Sequence, residues 1–174
     1  MRNLTKLQIH RFLLVIVSTL FINANLFSAT KLNESFTPPS FMPAGWTKVH
    51  VAGALNAGDW GRSTSNFKTA PACILSAGGI LADNWLITPQ IPISTGDSLV
   101  YYISSNYLLS ANGRLEIKYS TTNNAVGSFN DFLIPVHIDL EALTPNVYYR
   151  RAVSLNQVAG QNVYIAFRHI EVVG

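Results

Sequence analysis

Apolar, strand-like segments recur along this chain at nearly constant intervals, starting near residues 84, 99, 115, 132, 148 and 163, 15 to 17 residues apart. Gly, Pro, Asn, Ser and Thr lie between them, and no window shows the period of a long helix. Residues 114–119 alternate charged and apolar side chains, which predicts Leu115, Ile117 and Tyr119 facing a core and the charges facing water. Residues 46–51 form a weaker candidate strand. The pattern predicts an all-β sandwich or jelly roll.

The first 29 residues have the layout of a secretory signal peptide. Arg2, Lys6 and Arg11 precede an apolar run at residues 12–22, which is followed by small and polar residues. A run of 11 residues is shorter than the roughly 20 that cross a bilayer, so an uncleaved membrane anchor is the weaker alternative. We therefore expect a signal peptide at residues 1–29, one domain at residues 30–174, no membrane span after cleavage, and a secreted or cell-surface location.

The charge balance of the predicted domain excludes one class of partner. The full chain has 12 Lys and Arg against 9 Asp and Glu, and three of the basic residues belong to the signal segment. Residues 30–174 are therefore neutral overall. Nucleic-acid binding depends on a clustered basic face, so the sequence argues against a nucleic-acid partner.

Few residues point to catalysis. Cys73 is the single cysteine, and a buried free thiol is favoured over a nucleophile paired with His50, His137 or His169. The chain has no Gly-rich phosphate loop, zinc-protease motif or nucleophile elbow. Its acidic residues could still provide the two carboxylates of a glycoside hydrolase, which keeps that enzyme class as an alternative. Four of them lie beside turn residues, where a structural role is favoured: Asp59, Asp83, Asp97 and Asp131.

Aromatic residues are the stronger binding candidates. Trp46 and Trp85 lie in apolar strand segments and are expected in the core. Trp60 is flanked by glycines in Gly-Asp-Trp-Gly, which predicts a loop whose ring either stacks on a sugar or folds over the end of the sandwich. One tyrosine of each adjacent pair, residues 101–102 and 148–149, should face outward. Trp60 and Tyr107 are the predicted ligand-binding residues.

Several of these segments together resemble a known bacterial family. They include Glu34-Ser35-Phe36, the Pro-Ala-Gly-Trp of residues 43–46, Trp60, the Asp-Asn-Trp-Leu-Ile-Thr-Pro of residues 83–89 and the Gly-Gln-Asn-Val-Tyr-Ile-Ala-Phe-Arg-His of residues 160–169. In this order they resemble the choice-of-anchor J or cleaved-adhesin domain, which occurs in secreted surface proteins and in the adhesin regions of gingipain-type proteases. The resemblance covers nearly all of residues 32–171.

This resemblance implies a jelly-roll β-sandwich similar to carbohydrate-binding and MAM-type modules. It also implies a non-catalytic domain that often carries a structural calcium ion, which takes 6–8 oxygen ligands. Glu34 matches the family's early acidic position and is the first candidate metal ligand. Asp83 is the second, although a turn-forming role before its strand is favoured there.

The chain departs from the family pattern at its end. Family members continue beyond the strand of residues 162–169 into a last strand with an acidic pair, whereas this sequence stops at Gly174. We therefore expect a C-terminally incomplete module that lacks its last strand. An unpaired sheet edge would invite pairing with another chain.

Together these features predict an exported, non-catalytic binding or adhesion module. Its expected partner is a glycan or an extracellular matrix protein, and the neutral composition favours polar, uncharged ligands. Two alternatives stay open: a sandwich-fold glycoside hydrolase, and a ligand-free structural spacer within a secreted multidomain protein.

Overall fold

A computed structural model describes residues 29–36, 41–53, 59–76, 81–105 and 113–171. These residues form ten strands and three short 3-10 helices, with no α-helix among them. The strands are β1 (Thr47–Ala52), β2 (Trp60–Ser63), β3 (Cys73–Ser76), β4 (Asp83–Ile87), β5 (Ile91–Pro92), β6 (Ser98–Ile103), β7 (Gly113–Ser120), β8 (Asn130–Asp139), β9 (Tyr149–Ser154) and β10 (Asn162–Glu171). The predicted all-β class is confirmed.

The strands form one large antiparallel sheet and two small ones. The large sheet has the order β1-β4-β10-β7-β8, and β5 pairs with the start of β10. The pairs β2–β3 and β6–β9 form separate two-stranded sheets. The jelly-roll connectivity inferred from the family resemblance stays a prediction.

The main core lies where the small sheets pack on the large one. Leu86, Ile117 and Ile165 of the large sheet are at most 2% exposed and belong to one apolar cluster with Val153 of β9. Ile74 of β3 also packs against this cluster. As the alternation predicts, Leu115 and Ile117 face inward, and Tyr119 is partly buried against the same core. The fold is therefore a layered, sandwich-like packing of antiparallel sheets.

The opposite face of the large sheet carries a second, mixed layer. Trp85, Ile87 and Ala166 are buried there and pack with Phe129. The prediction that the charges of residues 114–119 face water is wrong for Glu116, which is only 7% exposed. Its carboxylate accepts a hydrogen bond from Arg168 at 3.1 Å, and that contact with the neighbouring strand β10 keeps the charge paired under the surface.

Every strand predicted from spacing is present, and the missed strands are the shortest ones. β2 and β3 have four residues each and β5 has two. Such lengths are too short for an alternating pattern to be recognised.

The prediction for the tyrosine pairs holds at Tyr102, which is 49% exposed, but not at Tyr148 and Tyr149, which are both half-buried.

The edges of the large sheet are β1 and β8, whereas β10 is paired on both sides, with β4 and β7. The β7–β8 register shifts between Ile117 and Lys118, so residues 132–135 of β8 bulge away from the ladder. Leu133 and Ile134 in this bulge are 86% and 83% exposed. Pairing of an edge with another chain stays a prediction.

Candidate functional site

The outward face of the β6–β9 sheet presents an exposed aromatic side chain beside a cation. Along β6 the exposed residues alternate with half-buried ones, so Val100 and Tyr102 point outward and are 45% and 49% exposed. Arg150 is exposed and lies directly across from Tyr102 in the β9 register, and Ala152 lies across from Val100. Directly paired residues have Cβ atoms about 5 Å apart, so Arg150 and Tyr102 are cross-strand neighbours on this face.

A second cation reaches Tyr102 from the connection between β2 and β3. The ammonium of Lys68 lies 5.4 Å from the centre of the Tyr102 ring, within the range of a cation–π contact. We call the surface formed by Lys68, Val100, Tyr102 and Arg150 the β6–β9 face.

Two side chains, Tyr148 and Cys73, hold the connection that carries Lys68. The Tyr148 hydroxyl donates a hydrogen bond to the main-chain oxygen of Asn66. Burial, with smaller contributions from Cys73, raises the pKa of Tyr148 to about 12, so this phenol stays a donor at neutral pH. The Cys73 thiol, half-buried rather than fully buried, points at the carbonyl oxygens of Ser65 and Asn66 at 3.7 and 3.8 Å. These contacts fix the loop next to β6.

The β6–β9 face is locally positive. Within the described ranges, no carboxylate forms an ion pair with Lys68 or Arg150, whereas the ion pairs elsewhere engage Asp59, Asp83, Asp97 and Asp131. The domain is neutral in total, but this face carries two cations near one exposed ring, Lys68 and Arg150. This arrangement is suited to a ligand that combines an anionic group with a surface able to contact an aromatic ring.

The prediction that Trp60 presents its ring to a ligand in an open loop is wrong. Trp60 begins β2, is 8% exposed and belongs to the main core. Its indole N–H donates to the main-chain oxygen of Asn84 at 3.2 Å, and its own amide is capped by the Asp59 carboxylate. The apolar ring is buried together with a satisfied donor, which favours packing over exposure. Tyr107, the other predicted ligand-binding residue, lies outside the described residues.

The two predicted metal ligands have different surroundings. The Asp83 carboxylate is bound through both oxygens by Arg168 at 2.8 Å and also accepts the Trp85 indole N–H at 2.7 Å. It is therefore occupied by a cation from the protein and does not fit a calcium site. Glu34 accepts the amide of Phe36 at 2.6 Å and has a second oxygen without a hydrogen bond to any described residue. The part of the chain that the structure describes holds no group of three or more His, Cys, Asp and Glu suited to a metal.

The residues considered for catalysis are mostly in structural contacts. Asp97 is paired with Lys31, Asp59 with Lys48 and Asp131 with Lys118. His169 shares a 2.8 Å hydrogen bond with Ser76 through Nδ1 rather than contacting Cys73. The carboxylates of a glycoside hydrolase must leave one group free to give a proton to the substrate, which these ion-paired acids do not offer in this arrangement.

The family model named Cleaved Adhesin Domain matches residues 29–174. The chain belongs to the cleaved adhesin domain family. Hemagglutinin A of Porphyromonas gingivalis is 28% identical to this cleaved adhesin domain over 166 residues, or 82% of this chain and 6% of that protein. Hemagglutinin A of strain ATCC BAA-308 / W83 is 28% identical over 169 residues, or 82% of this chain and 8% of that protein. The cleaved adhesin domain thus spans a small fraction of these relatives.

Solved structures agree with this assignment. The K1 cleaved adhesin domain of Lys-gingipain from P. gingivalis W83 superposes with a TM-score of 0.63 at 24% identity, covering 82% of this chain and 89% of that one. The K3 domain of the same protein gives 0.63 at 25% identity, covering 83% and 90%. The family resemblance read from the sequence is therefore confirmed, and so is an adhesin-type module.

Sequence reasoning missed the β6–β9 face of this cleaved adhesin domain. The alternation of Val100 and Tyr102 predicted that a tyrosine would be exposed, but nothing local marked Lys68, which is 34 positions away, as its neighbour.

Among the described residues, no helix has the length and apolar content needed to cross a bilayer.

Proposed function

We propose that this chain is an exported adhesion module that binds an acidic glycan on its β6–β9 face. The observation that carries this proposal is the exposed Tyr102 ring, which has the Lys68 ammonium 5.4 Å from its centre and Arg150 as its cross-strand neighbour. Membership in the cleaved adhesin domain family supports an adhesion role, and the signal-like segment at residues 1–29 supports a secreted or cell-surface location. The glycan class rests on the chemistry of the face.

Each part of the face contributes a different kind of contact. A tyrosine ring packs against the apolar C–H face of a sugar. A guanidinium binds carboxylate or sulfate through paired hydrogen bonds, and an ammonium adds a compact second charge. Val100, beside Tyr102 and 45% exposed, extends the apolar surface along the strand. A sugar carrying a uronate or sulfate group would contact the ring and both cations together.

Binding of defined polymers tests this function. We expect sulfated heparin fragments and carboxylated hyaluronan fragments to bind the purified domain, and neutral dextran not to bind. Affinity should fall as salt rises because exposed charges contribute and are screened. Tyr102→Ala and Arg150→Gln should each weaken binding by roughly 3- to 10-fold, the range of one exposed cation–π or charged contact.

A matched charge variant separates a specific face from general attraction. Arg114→Gln removes the same charge from β7, where Arg114 is paired with Asp139, and should leave glycan affinity unchanged. An equal loss in Arg114→Gln and Arg150→Gln would overturn the β6–β9 face as the site. Tighter binding to acidic peptides than to glycans would favour a matrix protein as the partner. Release of new reducing ends from a bound glycan would favour a glycoside hydrolase, and no binding at all would favour a structural spacer.

A further inference from the structure

A cavity of about 1030 Å³ lies between the large sheet and the two small ones, and its lining differs from sheet to sheet. Along β10 only alternate residues border it, namely Ile165, Phe167 and His169, so the cavity lies over one face of that strand. Along β3 and β6 every residue borders it. Because successive side chains of a strand point to opposite faces, contact with all of them means that the cavity runs along the edge of each strand.

These two edges have no neighbouring strand among the described residues. There β3 pairs only with β2, and β6 pairs only with β9. No residue of β9 borders the cavity, and β2 borders it only at Trp60 and Ser63. The cavity is therefore on the side of β3 and of β6 that faces away from each partner. We call this space between β3 and β6 the slot.

The segment at residues 29–36 also runs along the slot, but it does not form a strand there. Its Leu32 and Phe36 pack against the main core, and the Lys31 ammonium forms an ion pair with Asp97 at 2.5 Å. These contacts attach the segment to the wall of the slot through its side chains. They leave the backbone edges of β3 and β6 without a paired strand in the part of the chain that the structure describes.

The dimensions and lining of the slot specify its occupant. β6 has six residues and β3 has four, so the two edges match an extended segment of that length, about 13–20 Å. A strand edge presents N–H donors and C=O acceptors in alternation, and an extended peptide backbone can pair with such an edge on both of its sides. Leu86 and Ile165 lie on the floor of the slot, so the inward side chains of the occupant should be apolar.

The slot adjoins the β6–β9 face, and Lys68, Val100 and Tyr102 border both. The Lys68 ammonium lies 5.4 Å from the centre of the outward Tyr102 ring, and no described carboxylate forms an ion pair with it. On a strand added beside β6, the outward residue next to Tyr102 would be close to this ammonium. An acidic side chain at that position would complement its charge.

We propose that the slot binds an extended peptide segment of a partner protein, which pairs with β3 on one side and with β6 on the other. The segment has apolar residues at alternate, inward positions and an acidic residue facing outward beside Tyr102. Its binding joins the two small sheets into one. This proposal does not rest on glycan binding, because the peptide pairs with backbone edges whereas the glycan contacts outward side chains.

A short peptide of alternating sequence, acetyl-Thr-Val-Glu-Val-Thr-Val-amide, is the probe. We expect saturable binding to the purified domain in isothermal titration calorimetry without any glycan present. The same peptide with its valine amides N-methylated keeps every side chain but loses the donors that face one edge. It should bind at least about tenfold more weakly, because several backbone hydrogen bonds are lost together. Equal affinity of the two peptides, or no binding of either, would overturn the proposal.

Amide hydrogen exchange measured by NMR locates the bound peptide. In the unliganded domain the amides of β3 and β6 that point into the slot should exchange faster than those in the ladders with β2 and β9, because unpaired amides are less protected. Saturating peptide should slow their exchange at least about tenfold. Slow exchange before the peptide is added would show that the edges are already paired. That result, or unchanged exchange with peptide bound, would contradict strand addition.

A charge exchange tests the position of the acidic residue. A peptide with lysine in place of glutamate should bind wild type roughly 3-fold more weakly, and Lys68→Glu should reverse this preference. Arg150 does not border the slot, so Arg150→Gln should weaken glycan binding while leaving peptide affinity unchanged. A Lys68→Glu domain that still preferred the glutamate peptide would contradict the placement beside Tyr102. Glycan binding without peptide binding would overturn the slot proposal alone.

Discussion

Arg168 donates hydrogen bonds to both carboxylate oxygens of Asp83 at 2.8 Å and lies 5.0 Å from the centre of the Trp85 ring. A third bond, to Glu116 at 3.1 Å, joins the same guanidinium to β7. Asp83 and Glu116 raise the pKa of Arg168, with the Asp83 hydrogen bond as the largest contribution. One side chain of β10 therefore connects three adjacent strands on the outer face of the large sheet.

Removing one partner of this arginine should measurably destabilise the fold. In Asp83→Asn the guanidinium, whose side chain is 26% exposed, keeps only Glu116 as a charged partner. We expect the free energy of unfolding to fall by about 1–3 kcal/mol because a partly buried charge loses most of its compensation. Urea denaturation measures it.

The same sheet offers a control for this prediction. Asp139 pairs with Arg114 at 3.1 Å, but its side chain is 58% exposed. Asp139→Asn should change the free energy of unfolding by less than about 0.5 kcal/mol, since exposed ion pairs contribute little. Equal effects of the two substitutions would show that the Asp83–Arg168 contact is no more than a surface pair.

Truncating Trp60 should affect stability rather than adhesion. Its ring is 8% exposed and its indole N–H is bonded, so Trp60→Ala should lower the free energy of unfolding by about 3–5 kcal/mol. Tyr102→Ala, at a position 49% exposed, should cost far less while weakening glycan binding. If the Trp60→Ala domain melted like wild type but no longer bound glycan, the result would contradict core packing of Trp60 and support a ligand-contacting role for its ring.

The long strands could be predicted because their pattern is local. In β7, apolar residues such as Leu115 and Ile117 alternate with charged ones over six positions, residues 114–119, which is enough to establish the period of two and the inward face. The same alternation wrongly placed Glu116 at the surface, because its charge predicts a side chain that is exposed to solvent. Its burial depends on Arg168, 52 positions away, and no sequence pattern links the two residues.

The candidate site was less predictable for the same reason. The Gly-Asp-Trp-Gly segment predicts a loop at Trp60. In the structure Trp60 begins β2, because its backbone pairs with Ser76 of β3. Lys68 reaches the β6–β9 face only through the fold of the β2–β3 connection, which is held by Tyr148, the residue before β9. The composition shows that the predicted domain has no net charge, but it does not show where on the fold the cations without an ion-pair partner lie.

His169 should make stability depend on pH in the weakly acidic range. Burial lowers its pKa in the folded state, so the unfolded chain binds a proton more readily. The free energy of unfolding should therefore be fully retained above about pH 6.5, the ordinary histidine value, and fall as the pH drops below it. Urea denaturation from pH 7 to pH 5 should show this loss reduced in His169→Gln. His137→Gln, at an exposed position, should keep the wild-type dependence. An unchanged slope in His169→Gln would assign the loss to other groups.

The bulged edge of β8 should govern any pairing with a second chain. Leu133 and Ile134 are 86% and 83% exposed on an edge strand of the large sheet, where unpaired backbone groups favour association. We expect concentration-dependent self-association in sedimentation velocity, abolished by the double variant Leu133→Lys with Ile134→Lys. Val147→Lys, at an exposed apolar residue away from this edge, should associate like wild type. A wild-type domain that stays monomeric at high concentration would contradict edge pairing.

Calcium binding should depend on Glu34 and not on Asp83. Glu34 keeps one oxygen without a hydrogen bond to any described residue, whereas both Asp83 oxygens are bound by Arg168. If the calcium ion that the family resemblance implies binds at Glu34, calcium should raise the melting temperature of wild type through mass action. Glu34→Gln should weaken calcium affinity at least tenfold, because loss of a charged ligand weakens a site built from oxygen atoms. Asp83→Asn should be less stable yet bind calcium with unchanged affinity in isothermal titration calorimetry. If calcium binding were lost in Asp83→Asn alone, the prediction would be contradicted, because the Asp83 carboxylate would have to leave Arg168 and bind the metal.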